Sequence, residues 1–199
     1  MKSTEEQIVE VVSSTPKGTL FFPEDFEDTG SSEAVRKALQ RLENKGDIRR
    51  VAHGVYILPK ESSYIGEIMP STEEVADAIA KRDKIRIIPT GAYALHALGL
   101  STQIPLKLVF LTDGAARTIN VGKRTIKLKR TTPKNLMAKG KISSLVIQAL
   151  REIGRDMVRP EELTQILELL KEEDQQLLKH DIKLAPEWIK QILKRANNG

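Results

Sequence analysis

No cysteine occurs in the 199 residues, which removes disulfides, thiolate metal sites and cysteine nucleophiles and agrees with a reducing cytoplasm. Histidine is almost as scarce. His53, His96 and His180 fall in separate expected elements, so neither a Ser-His-Asp arrangement nor a multi-histidine zinc site is expected. The chain has no G-x-x-x-x-G-K-[ST] and no G-x-G-x-x-G, and hence no glycine loop of the kind that cradles phosphates. No run reaches the roughly 20 apolar residues of a membrane helix. The opening segment MKSTEEQIVEVV is acidic in its first turn and lacks an apolar stretch followed by a cleavage site, unlike a signal peptide. Taken together, these absences predict a cytoplasmic protein with no cofactor, no metal and no membrane partner.

What is present is ordinary for a folded chain: 40% hydrophobic and 30% charged residues, enough to bury a core. The length suits two unequal domains. Charge is unevenly placed. Residues 1–62 carry nine Lys/Arg against eleven Asp/Glu, residues 63–140 carry thirteen against six, and residues 141–199 balance at ten each. The middle segment therefore supplies the net +5.

The first sixty residues read as an ordered series of short elements. Thr4 is placed to cap a helix whose Ile8, Val11 and Val12 recur on one face. Pro16 and Gly18 end it, Thr19–Phe22 is β-prone, and Pro23 opens a helical turn through Phe26 that Gly30 closes. Ser31 or Ser32 caps a second helix with the apolar stripe Val35, Ala38, Leu39 and Leu42, ended by Gly46. Two strands, Asp47–Val51 and Gly54–Leu58, flank the turn Ala52-His53-Gly54. Helix, strand, short helix, helix, hairpin is the order of a winged helix-turn-helix, and it predicts a DNA-binding domain over 1–62.

That order assigns roles by position. The second helix enters the major groove with Ser31, Ser32, Arg36, Lys37 and Gln40 on its outward face. Ser31 and Ser32 would donate to phosphate, and Arg36 and Gln40, one turn apart, would reach bases. Arg49, Arg50 and His53 would lie on the wing. The simpler alternative is that Arg36 and Lys37 form the solvated side of an amphipathic helix. The excess of acid over base in residues 1–62 runs against a DNA-binding footprint, although Glu5, Glu6, Glu10, Glu24, Asp25, Glu27 and Asp28 cluster where they can face away.

Residues 63–199 are expected to form a larger α+β domain. Glu61–Pro70 reads as a linker, Ser71-Thr72-Glu73-Glu74 starts a helix to Arg82, Ile85–Ile88 is a strand, and Thr90 caps a helix over Ala92–Leu98. Strands follow at Leu106–Thr112, Thr118–Val121 and Thr125–Arg130, giving a small sheet within about 85–130. A helical turn at Pro133–Lys139 precedes a helical tail with segments near 142–153, 161–170, 172–180 and 186–196. Arg117, Lys123, Arg124, Lys127, Lys129 and Arg130 make the densest basic patch. It reads as a second nucleic-acid surface, a face for an acidic partner protein, or a solvated sheet face. A metal-dependent nuclease would want paired carboxylates near a lysine. Asp113 and Lys127 are available, but Thr125 stands where the second carboxylate belongs, so no enzyme is expected.

Four stretches together resemble the AbiEi-like antitoxins of abortive-infection, type IV toxin–antitoxin systems. They are Val35-Arg36-Lys37-Ala38-Leu39-Gln40-Arg41-Leu42 with Gly46-Asp47-Ile48-Arg49-Arg50-Val51, then Gly54-Val55-Tyr56, then Thr90-Gly91-Ala92-Tyr93-Ala94-Leu95-His96-Ala97-Leu98-Gly99-Leu100-Ser101 leading into the apolar strand at 107–112. The resemblance covers most of residues 1–130. It implies a transcriptional repressor that binds double-stranded DNA at inverted repeats upstream of its own operon and counters a nucleotidyltransferase-like toxin. It also makes Tyr93 and His96 candidate surface residues, where the i, i+3 spacing alone reads as packing. The alternatives are a winged helix used for protein contact and a DNA-targeted nuclease.

Overall fold

In the computed structural model, which describes residues 2–64 and 66–197, helices and strands are mixed along the chain and the fold is α+β. Internal contacts divide it into two units. One runs to Ile79 and includes Ile119–Lys123, and the other comprises Ala80–Thr118 and the residues from Arg124 onward.

In the first unit, helix α1 (Thr4–Ser14) opens one residue earlier than expected. Ser3 is the cap: its hydroxyl accepts from the Glu6 N–H at 3.3 Å, and the Glu6 carboxylate accepts from the Ser3 N–H at 2.7 Å. Thr4 is instead the first helical residue, and its hydroxyl donates to the Thr29 carbonyl. Ile8 and Val12 are buried, whereas Val11 lies at the stripe's edge and is exposed. After strand β1 (Leu20–Phe21) and a 3-10 helix at Pro23–Thr29 comes helix α2 (Ser32–Lys45), with Ser31 accepting from the Ala34 N–H. Gly46 ends it at φ 84°, in the left-handed region where a side chain is costly. Strands β2 (Arg49–Ala52) and β3 (Val55–Ile57) pair antiparallel with a bulge between Arg50 and Ala52, and β1 joins on the far side of β3. The core gathers Ile8, Phe21, Phe26, Val35, Leu39, Leu42 and Ile48. Each such side chain contributes about 1.5–3 kcal/mol by leaving water.

The stretch read as a linker pairs instead as a hairpin of β4 (Lys60–Ser62) and β5 (Gly66–Ile68). Both strands are three residues long with one large apolar side chain, Ile68, between them, so no alternation marks them. Helix α3 (Thr72–Asp83) has its capping box at Ser71 and Glu74, as the sequence predicts, and the division between the units falls within it.

The second unit holds strands β6 (Ile87–Thr90), β7 (Lys107–Thr112) and β9 (Arg124–Arg130) and the first two residues of β8 (Arg117–Val121), which pair in the order β6-β7-β9-β8. β6 begins two residues later than expected and takes in Thr90, which pairs with Val109. Gly91, not Thr90, precedes helix α4 (Ala92–Ala97). β7 and β9 run parallel, with Val109 opposite Lys127 and Leu111 opposite Lys129. Leu108, Phe110, Ile126 and Leu128 are buried on one face.

A 3-10 turn at Pro133–Leu136 leads to helices α5 (Lys141–Ile153), α6 (Pro160–Lys171), α7 (Gln175–Ile182) and α8 (Glu187–Asn197). Asp174 caps α7, which delays its start relative to the expected 172. These helices enclose a core of Val146, Leu150, Ile166, Leu170, Leu178, Ile189 and Leu193. Two buried carboxylates meet the start of α5. Asp181, fully buried, accepts from the Lys139 and Gly140 N–H groups and the Ser143 hydroxyl, and Glu173 accepts from the Ile142 and Ser143 N–H groups. Negative charge is favourable there, where helix N–H groups lack internal partners. Glycine at residue 140 leaves room for this cap, because a Cβ there would force the Ser143 hydroxyl or the Glu173 carboxylate to move. Among the described residues no helix is long and apolar enough to cross a membrane.

Candidate nucleic-acid interface

The buried stripe Val35, Ala38, Leu39 and Leu42 turns the opposite side of α2 outward, and Ser32, Arg36, Lys37 and Gln40 are all exposed on that side. Ser31 lies at its tip. Its hydroxyl oxygen is engaged by Ala34, but its proton stays available to donate. Arg36 and Gln40 lie about 6 Å apart along the axis. Lys37 forms an ion pair with Glu33 at 2.7 Å that is exposed on both sides and therefore readily exchanged. The C-terminal half of α2 is occupied differently. Arg41 and Lys45 both reach Glu5 of α1 at 2.5 Å, and these contacts, Lys45 first and then Arg41, hold the Glu5 carboxyl below its ordinary value.

On the β2–β3 hairpin, Arg50 and His53 are exposed and Gly54 completes the turn at φ 67°. Arg50 Nη2 lies 2.8 Å from His53 Nδ1. A guanidinium can only donate, so Nδ1 accepts and the ring proton sits on Nε2. Arg49 stands on β2 of the same hairpin, but its guanidinium is engaged within the protein. It is half-buried, grips Glu67 of β5 with Nε and Nη2 at 3.0 and 2.5 Å, and donates to the Gly46 carbonyl. In register Glu61 faces Glu67, a like-charge pair that Arg49 relieves. Glu5 and Glu67 thus take three cations out of the candidate interface, and only a map of contacts across more than fifteen residues reveals them.

The basic patch around β9 is divided by the sheet. Arg117 is paired with Asp83, and its Nε is buried without a hydrogen-bond partner. Burial alone would raise the Asp83 carboxyl, but Arg82 and Arg117 hold it below its ordinary value. Lys123 is exposed beside Gly122 at the β8–β9 turn. Strand alternation puts Arg124 and Arg130 on the side of Ile126 and Leu128, and Lys127 and Lys129 on the other. Lys107 of β7, overlooked in the sequence, shares the side of Lys127 and Lys129. The signal was its alternation with Leu108 and Phe110.

Tyr93 packs on Phe110 with ring centroids 6.1 Å apart, and His96 Nδ1 lies 3.3 Å from the Ser101 carbonyl. Both are half-buried packing residues. Asp113 accepts from the backbone N–H and Nε of Arg86 at 2.8 and 2.9 Å, which holds its carboxyl low and turns it toward Arg86. Ser143, Asp181 and His180 are adjacent, but the buried carboxylate lies between the other two, an order that caps a helix and does not activate a hydroxyl. No group of three or more His, Asp or Glu among the described residues is arranged to hold a metal.

The model of DUF6088, a family of unknown function, matches residues 7–178. No curated protein matches this sequence.

Proposed function

The chain belongs to the DUF6088 family, of unknown function, and we propose that its N-terminal unit is a winged helix-turn-helix that binds double-stranded DNA as a transcriptional repressor. The observation that carries this reading is the state of α2. Its C-terminal cations are tied to Glu5, while Arg36 and Gln40 stand one turn apart on the exposed side with no ion-pair or hydrogen-bond partner among the described residues. Arginine pairs with guanine and glutamine with adenine through bidentate hydrogen bonds in the major groove. The Arg50–His53 turn supplies the wing, with the Arg50 charge directed to phosphate. Arg49 supports the hairpin from behind.

The resemblance to AbiEi-like antitoxins supplies the operator: inverted repeats upstream of the protein's own operon, read by two copies of the chain. It also supplies a partner, a nucleotidyltransferase-like toxin. A second reading, a winged helix used for protein contact, draws support from the acid excess of residues 1–62 and the internal pairing of Arg41, Lys45 and Arg49.

Titration of the full chain against the DNA preceding its gene, in EDTA and at two salt concentrations, separates these. Sequence-dependent binding that is lost in an Arg36→Ala/Arg50→Ala variant supports the repressor. No binding by the wild type at low salt sinks it in favour of the protein-contact reading.

A further inference from the structure

The four strands β6 to β9 contain six cations and not one Asp or Glu. Arg117 is neutralised by Asp83 from outside the sheet. Arg124 and Arg130 lie on the side of the buried Ile126 and Leu128. What remains is one face on which Lys107, Lys127 and Lys129 stand on adjacent parallel strands, with Val109 opposite Lys127 and Leu111 opposite Lys129. None of the three lysines has a carboxylate within ion-pair distance among the described residues. In the N-terminal unit Lys2, Lys37, Arg41, Lys45 and Arg49 are paired with acids, while Arg36 and Arg50 have none within ion-pair distance among the described residues. Like charges placed side by side with no counter-charge repel one another, a cost that solvent screens in part and that an anion outside the chain would relieve.

We infer that the Lys107, Lys127 and Lys129 face is a docking surface for the phosphate backbone of duplex DNA. Lys127 and Lys129 are two residues apart on one strand, about 6.6 Å, so the surface presents charge at a regular interval, as a phosphate backbone does. Single-stranded nucleic acid would need exposed aromatic rings on which bases stack. The sheet's one aromatic, Phe110, is buried beneath Tyr93. A protein partner would need a large apolar anchor at the centre of the contact. Here the centre holds only Val109 and Leu111, both half-buried. Lysine ammonium groups on a flat sheet carry no base information, so binding at this face is independent of sequence.

The inference takes from the proposed function only the choice of duplex DNA as probe. Its test is a salt titration of the full chain on a short scrambled duplex, comparing wild type with K107Q/K127Q/K129Q and with the charge-keeping K107R/K127R/K129R. Each phosphate contact contributes about 0.9 to the slope of log affinity against log salt. The glutamine variant is therefore expected to lose roughly two to three from that slope, and the arginine variant to keep it. A wild-type slope in a glutamine variant that melts like wild type overturns the inference. So does equal binding of the single strand of the same length, or no binding of the scrambled duplex by the wild type. An Arg36→Ala/Gln40→Ala variant keeps the two proposals separate. If it leaves the ratio of operator to scrambled binding unchanged while the lysine variant flattens the slope, base reading by α2 fails and the sheet surface stands.

Discussion

Arg50 Nη2 donates to Nδ1 of His53 at 2.8 Å across the turn of the β2–β3 hairpin, and Arg50 Nε reaches back to the Ala52 carbonyl at 3.4 Å. The guanidinium is thereby oriented by its own turn, with the histidine serving as acceptor. Replacing His53 with alanine is expected to loosen Arg50 without removing its charge. Arg50→Ala should flatten the salt dependence of DNA binding by about one in slope, whereas His53→Ala should weaken affinity with the slope retained. Anisotropy titrations at several salt concentrations check both. An identical slope change in the two variants would mean that His53 contacts DNA itself.

Arg36 and Gln40 should set specificity. Each alanine replacement is expected to cost about 1–3 kcal/mol on the operator. Arg36→Ala also removes a charge and so weakens scrambled DNA slightly, while Gln40→Ala should leave it unaffected. Competition binding between the two DNAs reads the difference, and a uniform loss from Gln40→Ala on both would contradict base reading.

The Glu5 clamp predicts acid sensitivity of a definite sign. Because Lys45 and Arg41 hold the Glu5 carboxyl below its ordinary value of 4.5, its contribution to stability is present above that pH and is lost as pH falls through the lowered folded value. In thermal melts from neutral to acid pH, Glu5→Gln should be less stable than wild type at pH 7 and converge with it in acid. A gap that persists at the lowest pH would rule out the ion pairs as its source.

The buried carboxylates at the start of α5 predict two destabilising substitutions. Asp181→Ala strands two backbone N–H groups and the Ser143 hydroxyl, and each such group left unsatisfied should cost about 1–3 kcal/mol. Gly140→Ala forces a Cβ into Ser143 and Glu173, and overpacking of this kind costs about 1–3 kcal/mol. Urea unfolding of the full chain measures both. A neutral Gly140→Ala would show that the cap can shift to make room.

Several elements were legible because their signals are local. α2 is bracketed by Ser31 and Gly46 around a regular apolar stripe, and both ends lie where those residues place them. The outward positions of Ser32, Arg36, Lys37 and Gln40 follow from the same stripe. The β4–β5 hairpin carries no sequence signal because Lys60–Ser62 and Gly66–Ile68 are three residues each and hold a single apolar side chain, Ile68, too few for a period. Thr90 precedes a helix and so reads as its cap, yet its backbone pairs with Val109, nineteen residues away.

The order of helices and strands, the residues that face the cores and the outward side of α2 were all written in patterns repeating within a few residues, since backbone hydrogen bonding imposes periods of 3.6 and 2 on burial. Which cations remain available was not. Arg41, Lys45, Arg49 and Arg117 are neutralised by Glu5, Glu67 and Asp83, and the parallel pairing of β7 with β9 brings Lys107 beside Lys127 and Lys129. Charge pairing depends on distance in space and leaves no period along the chain, so only folding separates the basic residues held by acids of the protein from those that are not.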